Sequence, residues 1–283
     1  MKILTFDIED WFHLLDNPST ESINDWVKFE SRIHNSVEVI LHTLEKRNLR
    51  ATFFILGWVA DKYPDIVKKI DKSGHHIGTH SYAHQLAYKQ SPREFEDDLR
   101  RSIGALEELT SKPINCYRAP GFSIVEENLW AFDILVKNGI EIDCSIFPAS
   151  RAHGGLPNIE IKGPSVGIVG KDELKLFPIN SKNIFGKDFI YSGGGYFRLL
   201  PKALLKNWFR NSTYVMTYFH PRDFDVNQPV LEGLSLSRRF KSYVGISGCL
   251  NKLESMLDDN QFISLESATN NVDWAIAPRL KLR

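Results

Sequence analysis

Carboxylates, imidazoles and an arginine recur in this sequence directly after short apolar runs. Asp7, Glu9 and Asp10 put three acidic side chains within four residues, and His80 and His84 are spaced i, i+4. On one helical turn that spacing turns both rings to the same side, where they could bind one cation. The third donor would be an oxygen or nitrogen from elsewhere, and the Asp7–Asp10 cluster supplies it if the two stretches are neighbours. Three protein ligands with one position left open is the arrangement of a catalytic zinc site. Close carboxylates repel one another unless a cation or an arginine compensates. Arg118 is the natural partner, because a guanidinium can hold a carboxylate at two points. His220 ends the apolar run 214–219, so its ring should emerge at the mouth of the fold, where an imidazole can donate a proton near neutral pH. His75 and His76 lie within a strand-like run and read as packed, hydrogen-bonded rings.

Other chemistries are excluded. Gly193-Gly194-Gly195 lacks the GKS/T ending of a phosphate loop, and Gly245-Ile246-Ser247-Gly248 has the wrong spacing for a nucleophile elbow. The chain has 283 residues, 42% hydrophobic and 12% aromatic, enough to bury a substantial core. Its 35 basic and 35 acidic residues leave no net charge to hold a phosphate backbone, so nucleic acid is not an expected partner. Cys116, Cys144 and Cys249 are odd in number and far apart, which reads as buried reduced thiols. The first residues meet a carboxylate at Asp7 before any signal-peptide core can form, and no uncharged apolar window reaches the ~18 residues of a membrane span. The expected setting is the cytoplasm, with a peripheral place at the inner face of the membrane compatible with the sequence.

To bring such residues together the chain must alternate strands and helices, and its patterning does so. Strands are expected near 3–6, 51–55, 75–79, 115–118, 141–145, 174–179, 214–219 and 262–265. Helices are expected at 36–47, 61–73, 91–109, 127–138, 202–211 and 236–257. Ser91, Pro92 and Glu94 form a capping-box start, and Gly74 and Gly139 read as helix ends. Residues 147–173, rich in glycine and proline, read as a long surface excursion bordering a substrate groove. No linker or repeat divides the chain, so one α/β domain spanning 1–283 is expected, a closed or nearly closed barrel with its chemistry at the carboxyl ends of the strands.

Thr5-Phe6-Asp7 with its nearby acids, His80-Ser81-x-x-His84, Arg118-x-Pro120-Gly121 and His220-Pro221, in that order, resemble the motif series of the polysaccharide deacetylases, the NodB-homology proteins of carbohydrate esterase family 4. The segments Asp143–Pro148, Gly193–Arg198 and Arg238–Gly245 resemble the subgroup associated with exopolysaccharide and surface-glycan synthesis. The resemblance implies a distorted, seven-stranded (β/α) barrel of NodB type. It also implies a hydrolase removing acetyl from N-acetylated sugars with zinc or another divalent metal such as cobalt, nickel or manganese. Position by position it gives Asp7 as general base, His80 and His84 as metal ligands and Arg118 as the residue orienting the base. His220 becomes the general acid, and Gly121 N–H an oxyanion donor.

The family commonly has adjacent aspartates where Ile8 separates Asp7 from Glu9 and Asp10. Glu9 is favoured as metal carboxylate if the strand continues, because i+2 returns to the same face, and Asp10 if the chain turns. The acid that tunes His220 is Asp143 or Asp223. Trp11, Phe12, Tyr82, Phe122 and Tyr196 are aromatics available to stack on sugar. The expected partner is an N-acetylated glycan or its lipid-linked precursor, and an oligomer is compatible with the composition. Two other readings stay open: an allantoinase-like hydrolase of a small amide on the same fold, and a non-catalytic glycan-binding protein.

Overall fold

A computed structural model describes residues 1–149, 154–184 and 187–282. Its centre is an eight-stranded sheet in the order Arg279–Lys281, Ser165–Val169, Asp172–Leu176, Ile142–Asp143, Cys116–Tyr117, His76–Thr79, Thr52–Ile55, Thr5–Ile8. All neighbours are parallel except the Ser165–Val169/Asp172–Leu176 hairpin. Thr5–Ile8 and Thr52–Ile55 are buried at every position, the pattern of parallel strands covered on both faces. Beyond Thr5–Ile8 the sheet continues through a parallel bridge from Phe6 to Phe219, while Lys2–Ile3 pairs with Val215–Met216. On the other flank of that strand Asn180 Oδ1 accepts from Met216 N at 2.8 Å, a side chain serving where a ladder would. The α/β class and the mostly parallel sheet are those expected from the sequence.

Register decides what the sheet presents. Ile8, Ile55, Thr79, Tyr117 and Asp143 lie in one row across five strands. The residues immediately after that row include Glu9, His80 and Arg118, so side chains distant in sequence leave the sheet at the same edge.

Most expected elements form, and the exceptions have local causes. Pro64 divides the second expected helix into Gly57–Lys62 and Pro64–Lys72, because it opens a new helix with no N–H of its own. The last expected helix is two, Leu236–Tyr243 and Ile246–Asp259, separated at Gly245. Gly245 has φ of +70°, and a Cβ there would meet Arg198 O at 2.4 Å, so the chain turns where only glycine fits. The strand expected at 262–265 shrinks to a bridge at Ile263, because Ser264 caps a helix, Leu265–Asn271. The excursion expected at 147–173 holds the Ser165–Val169 strand, and Leu156 and Ile161 are buried; its residues 150–153 lie outside the described ones. The capping box on Pro92–Thr110 is present, with Ser91 and Glu94 each accepting from the other's backbone N–H. All three cysteines are free and buried. Among the described residues no helix is long and apolar enough to cross a membrane.

Candidate active site

At the carboxyl edge of the sheet Glu9, His80 and His84 bring three ligand atoms within 4.8 Å of one another, and all three residues are buried. The expected helical turn is not what joins the histidines. Residues 80–86 form a loop in which Ser81 and His84 have φ of +67° and +52°. That loop is pinned by Asp98, whose carboxylate accepts from Tyr82 N at 2.7 Å and Ala83 N at 2.9 Å. Ser81 Oγ accepts from His84 N at 3.2 Å.

His80 Nδ1 lies 2.8 Å from Arg118 O; donation of its proton to that carbonyl leaves the Nε2 lone pair for the cluster. Burial opposes protonation of the His80 ring and, with His84, outweighs Asp7, Glu9 and the Arg118 carbonyl to bring its pKa down to about 4. Burial alone would raise the Glu9 carboxyl, but His84 and the other nearby imidazoles outweigh it and bring the pKa to about 2. Glu9 Oε2 is 2.6 Å from His84 Nε2, an ion-paired hydrogen bond when that nitrogen carries a proton. In the tautomer with the proton on Nδ1, two lone pairs face each other there, and a cation would relieve that conflict. One carboxylate and two imidazoles form a donor set that suits zinc.

Beside the cluster, Asp7 is buried against Arg118, whose Nη1 donates to Asp7 Oδ1 at 2.6 Å and to Thr5 Oγ1 at 2.7 Å. Arg118 is wholly buried, with its guanidinium 4.3 Å from the centre of the Phe54 ring. A buried charge of this kind is tolerated because it is paired and hydrogen-bonded.

The third arm comes from the far end of the chain. His220 Nε2 lies 3.5 Å from Glu9 Oε1 and 3.9 Å from Asp7 Oδ2. Its Nδ1 is 3.0 Å from Asp223 Oδ2. Burial works against protonating His220, but Asp223, Glu9 and Asp7 outweigh it and raise its pKa. Asp223 is also buried, which by itself raises a carboxyl, yet Arg198 and His220 hold its pKa well below the carboxylate range. Arg198 donates Nη1 to Asp223, and its other nitrogens donate to the carbonyls of Lys241, Ser242 and Val244.

These groups line a cleft of about 520 Å³, within the range of pockets that hold small ligands. Its wall includes Gly121, Phe122, Tyr196, Leu199, Tyr218 and Phe240. Close packing shapes one side: Gly193 is bridged to Tyr218, and a Cβ on Gly193 would stand 2.0 Å from Tyr218 O.

The structure separates residues that the sequence left together. Asp10 turns away from the cluster, accepting from Trp11 N, Ser31 Oγ and Arg32 N, so its carboxylate ties two loops. Asp143 accepts from Ser145 N and Ser145 Oγ, leaving Asp223 as the acid on His220. Trp11 does not face the cleft: it is buried, donates Nε1 to Glu30 O and packs edge-on against Phe12 and Phe29. Phe12 is wholly buried. Tyr82 is also withdrawn, with its hydroxyl on Asp61 Oδ2 and Arg101 over its ring. Phe122 and Tyr196 do line the cleft. Arg198 was not singled out as a site residue; a buried arginine behind a glycine run gives no spacing signal that names its partner.

Comparison with known proteins adds the following. Residues 17–135 match a family described as polysaccharide deacetylase, and residues 144–270 match a domain of unknown function, DUF3473. A peptidoglycan-N-acetylglucosamine deacetylase of Bacillus cereus is 38% identical over 93 residues, covering 32% of this chain and 34% of that protein. The chain thus spans about a third of the length of the curated relatives it matches, 34% and 38% for the first two. A solved structure from Mycobacterium smegmatis assigned to the polysaccharide deacetylases superposes with a TM-score of 0.66 at 20% identity, covering 98% of this chain and 92% of that one. A carbohydrate esterase family 4 pseudoenzyme from Bacillus anthracis superposes at 0.51 and 12% identity, covering 94% and 64%. These structural likenesses establish the fold. His80, His84 and Arg118 lie in the first matched region and Arg198, His220 and Asp223 in the second, while Asp7 and Glu9 precede both.

Proposed function

We propose that this chain, which carries a polysaccharide deacetylase domain, hydrolyses the acetamide of an N-acetylated glycan at the cleft bounded by Asp7, Glu9, His80, His84 and His220. The observation that carries the reading is the convergence of Glu9, His80 and His84 beside a carboxylate paired to a buried arginine, with an imidazole of raised pKa within 4 Å. A glycan-binding scaffold has no need of that acid, base and ligand set. The relatives named as peptidoglycan-N-acetylglucosamine deacetylases support an N-acetylhexosamine as the unit attacked.

In this reading Glu9, His80 and His84 hold a divalent ion, zinc being the natural choice for the donor set, which supplies Lewis acidity toward water and the acetamide carbonyl. Asp7, fixed by Arg118, takes the proton of the attacking water. Gly121 N–H donates to the oxygen that gains charge, where losing one such donor costs about 3 kcal/mol of barrier. His220, protonated and oriented by Asp223, gives its proton to the departing sugar amine. We assign all of this to one catalytic unit across residues 1–283, since both matched regions contribute side chains. A lipid-linked precursor, met at the inner face of the membrane, is supported by the apolar mouth, where Leu199 and Phe240 are more than half exposed beside Tyr196.

The direct test is acetate release from N-acetylglucosamine oligomers, abolished by a chelator and restored by zinc. No release from oligomers, with release of product from a small cyclic amide instead, would favour the allantoinase-like reading. Metal-independent glycan binding without any release would favour the binding protein.

Two further outcomes are expected. Asp98→Ala removes the acceptor of two N–H groups that fix the His84 loop, so zinc affinity should fall about 10- to 100-fold, as when metal ligands lose their support; zinc titration checks it. Asp223→Asn removes the charge that raises the His220 pKa. An acid catalyst fails once pH rises through its pKa, so the alkaline limb of the rate profile should move to lower pH. A limb that stays in place would show that His220 is not the proton donor.

A further inference from the structure

The mechanism leaves one buried cation of the cleft unused. Arg222 lines the cleft and is 7% exposed, yet it makes no ion pair among the described residues. Its Nε donates to Gln228 Oε1 at 3.3 Å and its Nη2 to Ser242 O at 3.2 Å, both neutral acceptors. No hydrogen bond engages Nη1 among the described residues, and that atom is not enclosed. Arg198 Nη2 donates to the same Ser242 O at 3.0 Å, so two guanidinium groups share one carbonyl. An arginine keeps its charge, and a buried charge is costly unless an opposite one meets it.

The charges around the cleft leave that counter-ion missing. Of the acids that line it, Asp7 is paired to Arg118, Asp223 to Arg198 and Asp16 to Arg238, while Glu9 belongs to the cluster with His80 and His84. Arg222 and Lys241 are the lining cations left over; Lys241 is exposed, makes no ion pair among the described residues, and adjoins the Ser242 carbonyl that Arg222 holds. On the same wall stand Leu199 and Phe240, each more than half exposed. We propose that Arg222 and Lys241 form a phosphate-binding site in the wall of the cleft, which takes the phosphate ester joining an N-acetylated sugar to an apolar chain seated on Leu199 and Phe240. This rests on the deacetylase reading and names the substrate within it. A phosphate ester fits better than a sugar carboxylate because unpaired cations and exposed apolar side chains adjoin, the order in which a lipid-linked sugar presents its anion and its hydrocarbon.

The test reads binding in zinc-loaded Asp7→Asn protein, so that no ligand is turned over. Titration calorimetry compares N-acetylglucosamine, its glycosyl phosphate, its farnesyl diphosphate ester, and a disaccharide of glucuronic acid and N-acetylglucosamine that offers a carboxylate instead. Both phosphorylated ligands should bind about tenfold or more tightly than the neutral sugar, the worth of a charge-assisted hydrogen bond, with the farnesyl ester the tightest of the four. Arg222→Gln keeps an amide donor and removes the charge, so affinity for the phosphorylated ligands should fall about tenfold more than affinity for the neutral sugar, at equal zinc content. Lys241→Gln alters an exposed side chain and keeps the test decisive if Arg222→Gln does not fold; its selective loss should be about threefold. No preference for phosphate in the parent protein, a preference that survives both substitutions because the zinc ion alone holds the phosphate, an equal loss with the neutral sugar, or tighter binding of the glucuronic acid disaccharide would each overturn the proposal. Failure of the deacetylase reading shows separately, as absence of acetate release by the wild-type protein.

Discussion

Asp7→Asn is expected to lower turnover by about 10³-fold or more while zinc stays bound. The substitution keeps the volume and one oxygen for Arg118 Nη1 but removes the charge that accepts a proton, and positioned general bases contribute roughly 10² to 10⁴. Asp7 is absent from the Glu9, His80, His84 cluster, so metal content should hold. The change also strips Arg118 of a counter-charge in a wholly buried setting, which predicts a lower melting temperature. Reading turnover, zinc content and melting together separates the chemical role from the structural one. Wild-type turnover in this variant would remove Asp7 from the mechanism.

His80→Ala and His84→Ala should each lose zinc, and the double variant should retain none. A site of three protein donors that gives up one has too few left, and the fall should exceed the 10- to 100-fold typical of losing a supporting group. The two singles differ in a way the structure specifies. His80 also bonds the Arg118 carbonyl, so its loss should disturb the Asp7–Arg118 pair, whereas His84 sits on a loop held independently by Asp98. His80→Ala should therefore cost more stability. Stoichiometric zinc in the double variant, measured by metal analysis, would refute the site.

Much of this was legible before folding, for one reason: Asp7, His80, Arg118 and His220 each stand within or just past an apolar run, and parallel strands in register deliver such residues to one edge. What was not legible depends on local turns. Glu9 and Asp10 are both acids, and only the local turn at Ile8, where Glu9 N bonds back to Asp7 O, sends Glu9 inward and Asp10 to Ser31. The i, i+4 histidines suggested a helix, yet two left-handed residues in a loop achieve the convergence. Trp11 and Tyr82 were read as sugar platforms because aromatics near a mouth look alike in sequence; their polar tips are committed to Glu30 and Asp61. Asp143 and Asp223 were equal until the turn after His220 put Asp223 on its ring.

Arg198 gives the site an order of disassembly. One side of its guanidinium grips Asp223 and the other hangs from three carbonyls at the end of the Leu236–Tyr243 helix, a helix with no buried residue of its own. Fraying of that helix end would slacken the anchor and with it the orientation of His220, while Glu9, His80 and His84, rooted elsewhere, kept their places. Loss of that helix end would thus reach His220 before it reached the Glu9, His80 and His84 cluster.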